Sequence, residues 1–284
     1  ETGYYSSFRR SNPLVDSDGI TAPLASQKIN AIRNLVPLGD LLALTSGADW
    51  VITSSNGVLT PATVQTRPQG IRGSSNLAPV VVGNRIIAMQ PMGQVVRDLG
   101  INPYDSSSTQ GDDNISIMSA HLFQGFEIVG MAYAQEPDSL IWFVRDDGVL
   151  LSLTYLREQE VLAWTRHDTL GFVESICTIP GDGYDEVWLI VKRVIGGVVK
   201  RFVERMAQRL ASTEPADQIF MDCAITYEGA PTDVITGLDH LEGEDVIILA
   251  DGKVVTGKTV ASGQVTLPFE ASTVHTGLRY RMEM

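Results

Sequence analysis

Leu140-Ile141-Trp142-Phe143-Val144-Arg145-Asp146-Asp147-Gly148-Val149-Leu150-Leu151-Ser152-Leu153-Thr154 decides the fold class. The first apolar run, aromatic and β-branched, ends at Trp142-Phe143-Val144. Asp146-Asp147-Gly148 has turn chemistry, and a second apolar run covers Val149 to Thr154. Ala163-Trp164 centres a third strand, and Val187-Trp188-Leu189-Ile190-Val191 opens the next group. No helix-length periodic segment intervenes between Glu136 and Glu204. Short strands joined by tight turns in this order are the pattern of a propeller blade, an antiparallel sheet of four short strands.

The same unit recurs to the N-terminal side. Leu41 to Leu44 pairs with Trp50-Val51-Ile52, and Arg85 to Met89 with Val95-Val96. To the C-terminal side, Val187 to Val191 pairs with Val198-Val199. The anchors recur every 45 to 55 residues or so, roughly a propeller-blade period. The turns carry Ser46-Gly47, Met92-Gly93, Asp147-Gly148 and Gly196-Gly197, each expected to supply a positive φ. The expected fold is all-β: a β-propeller-like platform of four-stranded antiparallel blades over residues 27–212. An extended arm or loop rich in Ser, Pro, Asp and Gly precedes it over residues 1–26. Closing a propeller usually takes more than four blades. Further blades are therefore expected from outside this chain, or else a less regular sheet arrangement.

One helix is expected from Asn114 to about Phe123, after a polar loop from Asn102 to Asp113. Asn114 would cap it, with Ile115, Met118 and Leu122 on one face. The composition shifts at Ser212-Thr213-Glu214-Pro215-Ala216. Beyond it, five short strands, among them Ile225 to Tyr227, Val246 to Ala250 and Gln264 to Leu267, predict a small β-barrel domain over 213–276. Residues 277–284 would return to the propeller.

The 284 residues carry 34 acids against 21 bases, a net charge of −13. That balance argues against tight binding to nucleic acid, which needs clustered Lys and Arg. It is compatible with a wall that repels moving DNA, and equally with plain solubility. Cys177 and Cys223 form no metal or redox motif and are expected as buried free thiols. No apolar run is long enough to span a bilayer. The first residue is Glu1, so a processed or excised piece is expected, with Glu1-Thr2-Gly3 as a cloning scar.

Gly252-Lys253-Val254-Val255-Thr256-Gly257-Lys258-Thr259 matches the letters of a phosphate-binding loop. Such a loop needs a helix beginning at its Lys. Here β-branched Thr259-Val260 and then Ser262-Gly263 follow, so a hairpin return strand is expected instead. Gly181-Asp182-Gly183 reads as a turn, and Asp182, Asp185 and Glu186 as a solvated acidic cluster without calcium-loop spacing. His121, His167, His240 and His275 stand in no metal motif, and His167 suits a structural hydrogen bond. Trp50, Trp142, Trp164 and Trp188 fit packing between blades. Arg193, Lys200, Arg201, Arg205 and Arg209, interrupted by Glu204, form a basic stretch expected on a solvated or inter-subunit face. The sequence assigns no catalytic, cofactor-binding or metal-ligating residue.

Asp147-Gly148, Leu153-Thr154-Tyr155, Arg157-Glu158-Gln159 and Ala163-Trp164-Thr165-Arg166-His167 follow in an order that resembles the tail nozzle proteins of short-tailed phages (tail tubular protein B-like or phage stabilisation-like). Asn114-Ile115-Ser116 through His121-Leu122 resembles the segment joining two blades in that family, with Asn-Ile-Ser in place of the usual Asp-Leu-Thr. Gly237-Leu238-Asp239-His240-Leu241-Glu242-Gly243 resembles a signature of small barrels inserted into phage tail proteins. Gly277-Leu278-Arg279-Tyr280 resembles the point where the chain re-enters the propeller. The resemblance runs from about Ile29 to Tyr280.

It implies a structural virion component and not an enzyme, without a cofactor, made in the host cytoplasm and placed in the virion tail. Copies would form a homo-oligomer, a six-fold ring beneath the adaptor on the portal side, in contact with tail fibre or tip proteins. Double-stranded DNA would pass through the channel at genome ejection without specific binding, and no membrane span is expected. The competing reading is a ligand- or glycan-binding or -processing β-propeller, with carboxylates and aromatics converging at its mouth.

Overall fold

The computed structural model describes residues 10–24, 30–101, 109–208 and 214–279. Its strands form five sheets. The first holds β1 (Ile32–Leu38), β2 (Asp40–Thr45), β3 (Asp49–Ser54) and β4 (Val64–Gly70). The second holds β5 (Val80–Val82), β6 (Arg85–Met89), β7 (Val96–Ile101) and β8 (Thr109–Asn114). The third holds β9 (Ile128–Ala134), β10 (Leu140–Arg145), β11 (Leu150–Leu156) and β12 (Val161–His167). The fourth has three strands, β13 (Phe172–Pro180), β14 (Asp185–Ile195) and β15 (Val198–Arg205). In these four sheets, strand order in space follows strand order in sequence. The fifth sheet, with β16 (Asp222–Thr236), β17 (Asp245–Ala250), β18 (Lys253–Thr259) and β19 (Gln264–Leu278), runs β16-β19-β17-β18. The protein is all-β, with propeller-like antiparallel blades.

The decisive stretch forms the hairpin its residues dictate. Leu140 pairs with Thr154 and Val144 with Leu150. Asp147 Oδ1 accepts the Val149 amide at 3.2 Å and Arg145 Nε at 3.0 Å, which closes the turn. Gly148 takes φ +82°, and a Cβ there would overlap the Phe172 ring. Gly93, Gly196 and Gly197 likewise have positive φ. Gly47 does not; there the Thr45 hydroxyl accepts the Ala48 amide at 3.1 Å and shapes the turn without a left-handed residue.

The chain divides into two compact units, Glu1–Met131 and Ala132–Met284. In the first unit, Val36, Leu42, Leu44 and Val51 of the first blade pack against Ile86, Ala88 and Leu99 of the second. The other face of the first blade buries Ala43 and Trp50, with Leu24 from the irregular N-terminal segment against them. In the second unit, Leu140, Trp142, Val144 and Leu150 of the third blade meet Val173, Val187, Leu189 and Val191 of the fourth. The fifth sheet has a separate core around Ile235, Leu238, Leu241, Ile248 and Val274. Each alternating strand sends one set of side chains into a core, the direct consequence of period-two geometry.

Several expectations are corrected. Thr109–Asn114 is strand β8, not loop; residues 102–108 lie outside the described residues. The expected helix is a 3-10 segment, Ile117–Leu122, kinked at Ser119. Asn114 Oδ1 accepts the Ser116 amide at 3.0 Å and its hydroxyl at 2.8 Å, an Asx turn that ends a strand instead of opening an α-helix. Ile115 and Leu122 are buried, but Met118 is 90% exposed. Four strands, not five, make the terminal sheet. Ile225 to Tyr227 and Gly229-Ala230-Pro231 fall within the single strand β16, which bends through register shifts against β19. The long strands let one pair serve two parts of the same small core.

Candidate functional site

Two fully buried arginines organise the blades. In the first unit, Arg97 of β7 donates from Nη1 to Asp49 Oδ2 on β3 at 2.8 Å and to the Gly73 carbonyl at 2.9 Å. Its Nε reaches Asp112 Oδ1 on β8 at 2.7 Å. One guanidinium therefore ties two blades and the segment between them. Ser74 Oγ donates to Asp49 at 3.2 Å. Burial pushes the Asp49 carboxyl above its usual range, against the opposing pull of Arg97.

In the second unit, Arg193 of β14 grips Glu204 of β15 through two bonds of 2.6 Å. Its Nη1 also donates to Thr169 Oγ1 at 2.8 Å and to the Leu170 carbonyl at 3.1 Å, on the link between the third and fourth blades. Gly171 makes room: a Cβ there would lie 3.0 Å from Nη1 and 2.7 Å from Val191 Cγ1. Asp222, at the start of the terminal sheet, hydrogen-bonds Thr169, and burial raises its pKa. Cys223 follows at φ +51°, its thiol pushed up to about 12 by burial and by the Glu204 charge.

This cluster revises the basic stretch. Arg193 is buried, not solvated, and Glu204 does not interrupt the stretch but is the carboxylate that makes Arg193 buriable. Arg201 and Arg205 do lie on the surface, paired with Glu174 at 2.7 Å and Glu186 at 2.8 Å. Arg209 lies outside the described residues.

A cleft of about 160 Å³ opens in the second unit, between the β9–β10 turn and the β13–β14 turn. Ala134, Leu140, Trp142, Val187 and Met206 form its apolar lining, and Glu136, Asp138, Tyr184 and Asp185 contribute polar groups. The rim is held firmly. Asp185 Oδ2 accepts the Gln135 amide at 2.6 Å and the Glu136 amide at 3.2 Å, and the Asp185 amide donates back to the Glu136 carbonyl at 3.0 Å. Thus Asp185 belongs to a turn lock and not to a merely solvated cluster. Trp142 is 3% exposed, and its indole N–H has no hydrogen-bond partner among the described residues. The composition of this stretch could have signalled the site: Glu136, Asp138, Trp142, Tyr184 and Asp185 flank two hairpin turns.

The remaining sequence candidates have structural surroundings. The Gly252–Thr259 segment forms a turn and strand β18, so its lysines do not open a helix. His167 Nε2 meets Ser152 Oγ at 2.8 Å, and its ring lies 5.1 Å from Trp142. His275 donates from Nε2 to the Ala216 carbonyl and accepts the Thr226 hydroxyl at Nδ1, both at 2.8 Å. His240 Nε2 donates to the Cys223 carbonyl at 3.2 Å, and His121 is exposed. Trp50, like Trp142, is buried; Trp164 and Trp188 are half-buried.

The Gly237–Gly243 motif is a tight corner. Leu238 and Leu241 are fully buried around the 3-10 turn Asp239–Leu241. The Glu242 carboxylate accepts the amides of Ser262 at 2.9 Å and Gly263 at 2.7 Å, which holds its pKa below the usual range. No residue group suited to a metal ion occurs among the described residues, and no described helix is long and apolar enough to cross a membrane.

No protein-family model matches the chain, and no curated protein matches it.

Proposed function

We propose that this chain is a structural component of a short-tailed phage tail, a nozzle protein whose copies assemble into a ring around the path of the genome. One observation carries the reading: the fourth blade has an uncovered apolar face. Its inner face buries Val187, Leu189 and Val191. On its outer face Ile190 pairs with Val203 and Val194 with Val199, and all four are exposed, Val203 by 71%. Lys192 and Arg201, opposite each other and both ion-paired with Glu174, form the row between these two pairs, and Arg205, paired with Glu186, lies beyond Val203. Exposed apolar pairs interleaved with ion-paired charges on one sheet face suit a protein–protein contact.

The order of the Asp-Gly turn, the Leu-Thr-Tyr strand and the Ala-Trp-x-Arg-His strand supplies the nozzle resemblance. The net charge of −13 suits a channel past which DNA slides without sticking. Adaptor, fibre and tip proteins would be the neighbours of such a ring, and the contribution to infection would be geometric.

Imaging particles with a labelled copy of the chain tests this. The label is expected at the tail, in a six-fold arrangement. Its absence from particles that package and eject DNA normally would overturn the proposal. Val203→Asp, at the most exposed of these apolar side chains, should abolish incorporation while the isolated chain keeps its fold.

A further inference from the structure

We infer that the loop between β3 and β4 carries a self-modifying asparagine: the Asn56 side chain cyclises onto the Gly57 nitrogen and loses its amide as ammonia. Asn56-Gly57 is the one Asn-Gly pair in the chain. Both residues are exposed, in the loop that follows Ser54 at the end of β3 and precedes Val64 at the start of β4. Gly57 takes φ +84°, and nothing lies within 4 Å of where its Cβ would stand. A residue without a Cβ leaves its own nitrogen open to the side chain before it. Asn76 and Asn84 are exposed as well, but Leu77 and Arg85 follow them and crowd that approach.

The fold supplies the approach. Asn56 Oδ1 accepts the Val58 amide at 3.2 Å, which closes an Asx turn. The side chain there copies a β-turn, with Cγ in the place of the first carbonyl carbon, and so folds back over the Gly57 nitrogen. The same Val58 N–H draws electron density from the Cγ carbonyl. The Ser54 hydroxyl lies 3.0 Å from Oδ1 and 2.8 Å from the Val58 carbonyl, and its one proton can turn to Oδ1 as charge develops there. The Thr63 hydroxyl, 2.6 Å from the Val58 carbonyl, keeps that carbonyl satisfied. Gly57 N–H and Asn56 Nδ2, the groups that must ionise and leave, have no hydrogen-bond partner among the described residues. The Ser55 amide bonded to the Thr63 carbonyl at 3.0 Å and the Val64 amide bonded to the Thr60 carbonyl at 3.1 Å hold the loop in this shape before reaction.

Hydroxide takes the Gly57 amide proton, and the nitrogen adds to Cγ. The C–N bond to Nδ2 then breaks, and Nδ2 takes a proton from water and leaves as ammonia. The resulting succinimide adds one water at either carbonyl and opens to aspartate or isoaspartate. One water is consumed, one ammonia is released, and nothing is oxidised or reduced. The loop gains a carboxylate where Ser54 to Val64 has no charged residue and where Val58 and Leu59 are exposed. The isoaspartate form also adds one methylene to the main chain.

The test is incubation of the intact chain at pH 7 and pH 8, followed by digestion in acid and mass spectrometry. A gain of about 1 Da, amide exchanged for acid, is expected on the Asn56 peptide, split between aspartate and isoaspartate. Its rate should rise about tenfold between the two pH values, with the ionised fraction of the Gly57 amide. It should exceed the rates at Asn76 and Asn84, and match or exceed the rate of the guanidinium-unfolded chain. Gly57→Val should lose it. A rate at Asn56 no faster than at Asn84, aspartate as the sole product, or a many-fold slower reaction in the folded chain than in the unfolded one would overturn the inference, as would persistence in Gly57→Val.

Discussion

Arg97 and Arg193 solve one problem in two ways. Each guanidinium is buried, each meets a carboxylate, and each bonds a backbone carbonyl between neighbouring strands groups. Arg97 is shared between carboxylates on two different blades, and one of them, Asp49, has a side chain only 3% exposed. Arg193 takes its charge partner from the adjacent strand of its own blade, and Glu204 keeps 19% exposure. The first arrangement makes the two blades depend on a single cation. The second lets the carboxylate turn to water if the cation is lost.

That difference is broken most severely by Arg97→Met. It strands Asp49 in the interior, and the expected loss is about 3–5 kcal/mol, as for other buried pairs that lose one member. Arg193→Met should cost less, about 2–3 kcal/mol, because Glu204 can rehydrate. Urea unfolding of both variants measures the gap. Asp49→Asn in the Arg97→Met background should recover stability by relieving the stranded charge, whereas Glu204→Gln in the Arg193→Met background should recover little. Equal losses in the two single variants would show that partner exposure is not what separates the sites.

The turns sharpen the comparison on a smaller scale. Gly148 and Gly183 both have positive φ, but only Gly148 faces a neighbour, the Phe172 ring at the entry to the fourth blade. Gly148→Ala should cost about 2–4 kcal/mol, backbone strain plus overpacking. Gly183→Ala should cost about 1 kcal/mol, the strain alone. Thermal unfolding of the pair isolates the packing contribution.

How much of this was legible depends on the range of the causes. The blades were, because alternation and the Asp147-Gly148 turn are written in adjacent residues. The arginine ties were not: Arg97 and Asp49 are 48 positions apart, and Arg193 sits in a run whose charges read as surface. Only the alternation of β14, with Val187, Leu189, Val191 and Arg193 on one face, hinted that this arginine points inward. Asn114 misled because an Asx side chain caps a helix and closes a strand-ending turn by the same bond. The two turns of the cleft are separate in the sequence, and bonds from Asp185 to the Gln135 and Glu136 amides, 50 and 49 positions away, bring them together.

Acid should separate the regions further. Burial raises the Asp49 pKa, so the native state binds that proton more tightly than the unfolded chain. Its contribution to stability therefore improves as pH falls toward the unfolded value near 3.8 and below the folded one. Glu242 and Asp251 behave oppositely. Backbone amides of Gly263 and Thr273, respectively, hold their carboxylates below the usual range. The stability they supply is present above the unfolded values of 4.5 and 3.8 and is lost as pH drops through the folded ones. Hydrogen exchange between pH 5 and 3 should show the terminal sheet loosening first, and Glu242→Gln should flatten its pH dependence. Loosening of the first blade ahead of the terminal sheet would contradict this sign.

The smallest effect concerns the two thiols, expected to be equivalent and buried but placed differently by the fold. Cys177 sits on β13, an edge strand, with its side on the exposed outer face of the fourth blade. Cys223 lies beside Arg193 and Glu204, and its raised pKa leaves almost no thiolate at neutral pH. At pH 8 iodoacetamide should therefore modify Cys177 in the native chain and spare Cys223 until the protein is unfolded, with mass spectrometry reading the sites. Arg193→Met removes a cation close to Cys223, so it should not activate the thiol by charge. If that variant nonetheless exposes Cys223 to the reagent, the arginine tie is what keeps the terminal sheet closed against the fourth blade. Fast labelling of Cys223 in the unaltered chain would instead show that this junction opens without losing its ion pair.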